Sequence, residues 1–224
     1  MKRLILSILT LAALVCAVPA RAQYYEIASQ IPSLISPALR GGFNYKGYVE
    51  LTGTAGIGGN RANFVGISTS QGFRYASWFF MGVGIGVDVA KGQDAGPDDA
   101  SYMRAPYDYA YESSATKAMI PVFSDFRFNI GSQSSVSAFI DIKAGAAWLI
   151  GSSALRMQDA YMTNDAQFFL RPTIGVRIPV NSQNSSQAFN IGVTYQLLTS
   201  DNNYYWRSSS VTLNNFGVTL GFEW

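Results

Sequence analysis

Along most of this chain apolar residues recur at every second position, with small or polar residues between them. The C-terminal part shows it most plainly. From Phe168 to Val180 one set runs Phe168, Leu170, Pro172, Ile174, Val176, Ile178 and Val180, against Gln167, Phe169, Arg171, Thr173, Gly175, Arg177 and Pro179. From Val136 to Ile150 the apolar set is Val136, Ala138, Ile140, Ile142, Ala144, Ala146, Trp148 and Ile150. Phe189 to Leu197 and Phe216 to Trp224 repeat the pattern, as do Phe43 to Leu51, Phe79 to Val89 and Ile120 to Ile130. A period of two is the mark of a strand whose two faces meet different surroundings. The stretch Ala62 to Phe73 alternates less clearly and is read as a strand because its neighbours need a partner. The sum is about eight strands of roughly 10 to 15 residues. They are longer than the strands of ordinary globular sheets and near the length that crosses a bilayer at a tilt.

The connections alternate in length. Turns are expected at Arg74 to Ser77, Gly131 to Ser135 and Asn181 to Gln187. Loops are expected at Gly58 to Arg61, Ala90 to Lys117, Ser152 to Asp165 and Ser200 to Ser209. Short turns at one end and mostly longer loops at the other, with both termini at the short end, is the layout of an up-and-down barrel in a membrane.

The polarity of the second face separates a membrane barrel from a soluble one. A soluble barrel needs an outward face rich in Lys and Glu. Here that face is mostly Gly, Ser, Thr, Asn and Gln, with ten charges: Lys46, Glu50, Asp88, Asp125, Arg127, Asp141, Lys143, Arg171, Arg177 and Glu223. Five acids and five bases suit an enclosed lumen, where an unpaired charge is costly. Gly82, Gly84, Gly86, Gly145 and Gly175 are expected to leave room there for long Arg and Lys side chains. Trp78, Trp148, Tyr195, Phe222 and Trp224 are candidates for interfacial girdles.

Composition adds exclusions. Charged residues make up only 13% of the 224-residue chain, and the net charge of +2, with no Lys/Arg cluster, does not fit a nucleic-acid partner. Lys2-Arg3, an apolar run from Leu4 to Val18 and Ala20-Arg21-Ala22 read as a signal peptide over residues 1–22, cleaved before Gln23. An uncleaved anchor and lipidation at Cys16 are the alternatives. Residues 23–39 form a separate leader in which Ile27, Ile31, Leu34 and Ile35 could line one side of a short helix that plugs or caps the periplasmic mouth or lies along the membrane, the alternative being an ordered leader without function; residues 40–224 form the barrel. After cleavage no cysteine remains, and the chain has His 0, so thiol chemistry, the commonest general base and the commonest transition-metal ligand are all missing. No metal or cofactor is expected.

On these patterns, with Gly66 to Tyr75 and Trp78 to Gly84 as a second hairpin, the chain resembles the eight-stranded OmpA/OmpX-like and PorT-like outer-membrane barrels. The closing Phe222-Glu223-Trp224 is similar to the C-terminal signal read by the barrel assembly machinery, with Trp where that pattern usually has Phe. The resemblance implies an all-β, antiparallel transmembrane barrel in contact with outer-membrane lipid, read here as a monomer. It leaves the activity open.

A structural or surface-interaction protein is the first functional expectation. Its surface would be the 90–117 loop, where Tyr102, Tyr107, Asp108, Tyr109 and Tyr111 gather, continued by Tyr204, Tyr205 and Trp206. Tyrosines give contact area at low entropy cost. A narrow pore, an assembly or secretion accessory factor and a soluble ligand-binding barrel are alternatives. An enzyme is not expected: barrels of this shape that catalyse use histidine, and Asp125 or Asp141 are more simply lumen ion-pair partners.

Overall fold

The computed structural model describes residues 44–93, 113–151, 153–157, 161–180, 186–204 and 207–224, with the backbone alone at 113, 161, 201–204 and 207–209. The expected signal peptide, the 23–39 leader and the boundaries between them lie outside these residues. Eight long strands follow the alternating segments: β1 (Asn44–Ile57), β2 (Ala62–Ala76), β3 (Phe79–Gly92), β5 (Thr116–Ile130), β6 (Ser137–Leu149), β9 (Gln167–Pro179), β10 (Ala188–Tyr204) and β11 (Arg207–Glu223). Three short ones lie in the connections: β4 (Ser113–Ser114), β7 (Ala154–Arg156) and β8 (Tyr161–Met162).

The long strands close into one antiparallel barrel in the order β1-β11-β10-β9-β6-β5-β3-β2. Each neighbours its predecessor, and the seam joins first to last from Tyr48↔Glu223 to Ile57↔Asn214. Closure leaves the ladder without a free edge, which is what a sheet needs where no water can satisfy its backbone. The expected eight-stranded antiparallel barrel is therefore the fold, and Ala62–Ala76 is a full strand of it.

The connections differ from expectation in four places, one being the 90–117 loop, whose ends Ala90–Gly92 and Thr116–Lys117 are strand. Arg74 lies inside β2, just before a register shift between Arg74 and Ala76 that bends the strand end. The expected loop at Ser200 to Ser209 is largely strand, since β10 and β11 stay paired up to Tyr204↔Arg207. The Ser152 to Asp165 loop carries β7 and β8, which join β4 in a separate three-stranded sheet. Chain reversal at Gly58 and Gly131 uses φ of 92° and 116°, conformations open to glycine.

The two faces separate as the alternation demands. On the outside Val83 is 68% exposed, Ile174 65% and Phe216 55%, while Arg127, Asp141 and Arg177 on the inside are at 0%. Among the described residues Phe79 is the one outward aromatic that is buried, because Trp78, Tyr75 and Phe128 cover it, with ring centroids 5.6, 6.0 and 5.2 Å away.

Candidate functional site in the barrel lumen

Taking the end with the short turns as the lower one, the lumen begins with Glu223. Its strand pairs with β1 on one side and β10 on the other, which points the carboxylate inward between three cations. Lys46 Nζ lies 3.1 Å from it and Arg177 Nε 2.8 Å, and Arg74 donates to the same carboxylate. Arg74 and Arg177 also hold the β5–β6 turn, donating to Gln133 Oε1 at 2.7 Å and to the Gln133 carbonyl at 2.8 Å.

The next layer is built by two cross-strand pairs on β5 and β6, Asp125↔Lys143 and Arg127↔Asp141. Both cations reach beyond their own wall. Arg127 donates to Glu50 and, at 3.1 Å, to Asp141. Lys143 Nζ lies 2.7 Å from Glu50, bonds Asp141, and is 4.0 Å from Asp125. Since β1 and β6 stand opposite each other in the strand order, the Lys143–Glu50 pair spans the lumen. Aromatic rings fill the remaining space, with the Arg127 guanidinium 4.1 Å from the centroid of Tyr48 and 4.6 Å from that of Phe139. Such contacts add about 0.5 to 2 kcal/mol where water is excluded. Higher still, Arg171 on β9 bridges to Asp88 on β3 at 2.6 Å, and Gln196 Oε1 accepts from the same guanidinium at 2.6 and 3.0 Å. All ten of these charges are buried, and each lies within 4.0 Å of an opposite charge, Asp125 through its long contact with Lys143.

Above Arg171 the lumen becomes apolar, which the alternation does not announce. Phe64, Met119, Phe123, Leu149, Phe169, Leu198, Val211 and Leu213 point inward from six strands and form a collar. Ala62, Ala90 and Ala147 leave space in it, and Leu155, Met157 and Met162 from the β7–β8 connection fill that space. Lys117 Nζ, at the collar's rim, donates to Ser153 Oγ at 3.0 Å.

Three of the five lumen glycines, Gly82, Gly84 and Gly175, serve a purpose other than the expected one. A Cβ on Gly82 would meet Phe80 Cζ at 2.7 Å, one on Gly84 would meet Phe123 Cε2 at 2.4 Å, and one on Gly175 would meet Phe139 Cε1 at 2.7 Å. Their space is taken by aromatic rings rather than by Arg and Lys chains. Arg74 and Lys117 are lumen cations that sequence reading placed in a turn and a loop; each sits at an inward position continuing its strand's alternation, and that was the available signal. The loop residues Tyr102, Tyr107, Asp108, Tyr109, Tyr111, Tyr205 and Trp206 lie outside the described residues, as does the Tyr204 side chain. Among the described residues no group of His, Cys, Asp and Glu is placed to hold a metal ion.

No protein-family model and no curated protein matches the sequence. Solved structures with a similar architecture include Neisserial surface protein A, with 11% identity and a TM-score of 0.49, covering 81% of this chain and 97% of that one. The outer membrane enzyme PagL has 14% identity and a TM-score of 0.46, covering 77% and 97%. The N-terminal β-barrel domain of Pseudomonas aeruginosa OprF has 9% identity and a TM-score of 0.42, covering 82% and 100%. The likeness does not extend to activity.

Proposed function

We propose that this chain is a non-enzymatic outer-membrane β-barrel of a Gram-negative bacterium, exported by its N-terminal signal peptide. It acts as a structural or surface-interaction protein through its outer loops. One observation carries the reading: the barrel is inverted, with Val, Ile, Leu and Phe exposed around the outside and paired charges buried within. In water such an exterior is a far larger apolar patch than soluble proteins tolerate; in lipid it is the stable arrangement. The shortest long strands have 13 residues. At about 3.3 Å per residue and a tilt near 40° they reach about 33 Å, enough for a hydrocarbon core of about 30 Å.

The side chains that cross the lumen weigh against a pore. Absence of histidine and the engagement of Asp141 with Arg127 and Lys143 weigh against catalysis. The surface role is assigned to the 90–117 loop with its tyrosines, and assembly to recognition of the last strand. Fractionation with gels of boiled and unboiled samples tests the location: an outer-membrane band that shifts on boiling is expected, and a soluble, unshifted protein rejects the reading. In planar bilayers purified protein should give no steady large conductance. Deleting Tyr102 to Tyr111 should abolish ligand capture by cells while the boiling shift persists.

A further inference from the structure

On the outer face of β1 and β2, toward the lower end, polar side chains stand among the apolar ones and are joined in one thread. Tyr45 Oη donates to Gln71 Oε1, Gln71 Nε2 donates to Thr69 Oγ1 at 2.9 Å, and Thr69 Oγ1 donates to the Tyr48 carbonyl at 3.0 Å. A carboxamide has two N–H donors. Thr69 takes one, and no described residue accepts from the other. Trp224 fixes the amide from the side. A Cβ on Gly47 would lie 2.4 Å from the Trp224 ring and 2.7 Å from Gln71 Oε1, so glycine is what lets ring and amide meet there. In hydrocarbon an N–H without an acceptor is unfavourable, because no water can serve it.

A second observation is the groove into which this thread leads. Val49, Thr69 and Ile85 stand in one cross-strand row and Ile67 and Val87 in the next, and together they line a groove of about 360 Å³ on the outside of the barrel. Ile67, Ile85 and Val87 are each more than half exposed. The outward rows on β1 and β2 ascend as Tyr45–Phe73, Gly47–Gln71 and Val49–Thr69. At about 3.3 Å per residue and a tilt near 40°, successive rows lie about 5 Å apart along the membrane normal. Upward from the lower end the surface therefore presents an aromatic ring, an amide N–H and an apolar groove. A phospholipid presents its headgroup, its ester carbonyl and its acyl chain in the same order, and tyrosine and tryptophan rings sit at headgroup level. None of these side chains is charged, so the headgroup is not what the site reads.

We propose that this face holds one glycerophospholipid of the periplasmic leaflet. An ester carbonyl accepts the second Gln71 N–H, and the acyl chain below that ester lies in the groove between Val49, Ile67 and Val87. This rests on the outer-membrane reading above, which puts the short-turn end at the periplasmic side.

The test places the full-length mature protein in nanodiscs of ether-linked phosphatidylcholine, which has no ester carbonyl. Ester-linked phosphatidylcholine with the same chains is titrated in, and NMR follows the Gln71 side-chain amide and the Ile67 and Ile85 methyl groups. These signals should shift saturably, while the methyl groups of Ile174, on the opposite wall, should not saturate. Gln71→Leu should weaken the ester lipid about tenfold and so remove its advantage over the ether lipid. Val87→Trp fills the groove and should abolish saturation at Ile67 and Ile85. Shifts that rise linearly with ester lipid at every site, an unchanged ester preference in Gln71→Leu, or shifts that follow the number of barrels per disc at fixed lipid each overturn the proposal, the last pointing to a second copy. The ester-against-ether comparison on the parent needs no variant. If the parent shows no boiling shift, the membrane reading fails; if it shows one without saturation, this inference alone fails.

Discussion

Below the level of Phe123 the lumen is crossed by Arg127, Lys143 and Glu50, and above it by Phe169, Met119 and Leu198. Side chains cross the lumen in both halves, with opposite chemistry. A charge layer depends on each partner standing at the right distance, and removing one leaves others buried without compensation. It also leaves errors in place: neither Asp125 oxygen nor either side-chain polar atom of Asn129 and Asn190 has a hydrogen-bond partner. An apolar collar is non-directional and tolerates exchange of one filler for another of similar volume. The charged half therefore depends on the placement of each partner, and the apolar half on volume alone.

Three measurements sharpen or break this comparison, each read from urea unfolding in lipid vesicles. The largest effect is expected for Arg127→Ala, which strands Glu50 and Asp141 and should lower stability by about 3 to 5 kcal/mol. A loss below about 1 kcal/mol would mean that the charge layer is hydrated and not structural. Next comes Phe169→Ala in the collar, with an expected loss of about 3 kcal/mol through the cavity it leaves. Collapse of Leu155, Met157 and Met162 into the gap would bring the loss well under that. Smallest is the coupling between the two: Arg127 meets Glu50, Asp141, Tyr48 and Phe139, whereas Phe169 meets Phe123 and Arg171, so their losses should add to within about 0.5 kcal/mol in the double variant. A larger coupling would show that the halves act as one unit.

Much of this was legible in the alternation. The face of every residue from Gln167 to Pro179 follows from its parity, and so does the lumen position of all ten expected charges. Three features escaped because local pattern carries no record of curvature or filling. Tyr48, Phe80, Phe123, Phe139 and Phe169 stand on the polar face, and alternation alone gives no reason for rings there. Their reason is three-dimensional, since the barrel needs bulk where neighbouring strands carry glycine. Leu155, Met157 and Met162 sit in a connection too short to show a period, so only their burial against the collar gives them a role. The β10–β11 hairpin was cut short because Asp201, Asn202 and Asn203 are turn formers by composition, yet pairing with Ser208 to Ser210 holds them extended.

The fit of rings over glycines has a consequence for how this sequence can change. Phe80 rests on Gly82, Phe123 on Gly84, and Phe139 on Gly175, the last across the β6–β9 pairing. None of these residues is free to vary alone. An alanine in place of Gly84 collides with the ring, and a smaller residue in place of Phe123 opens a hole above the glycine. A change at either member should therefore call for a compensating change at the other.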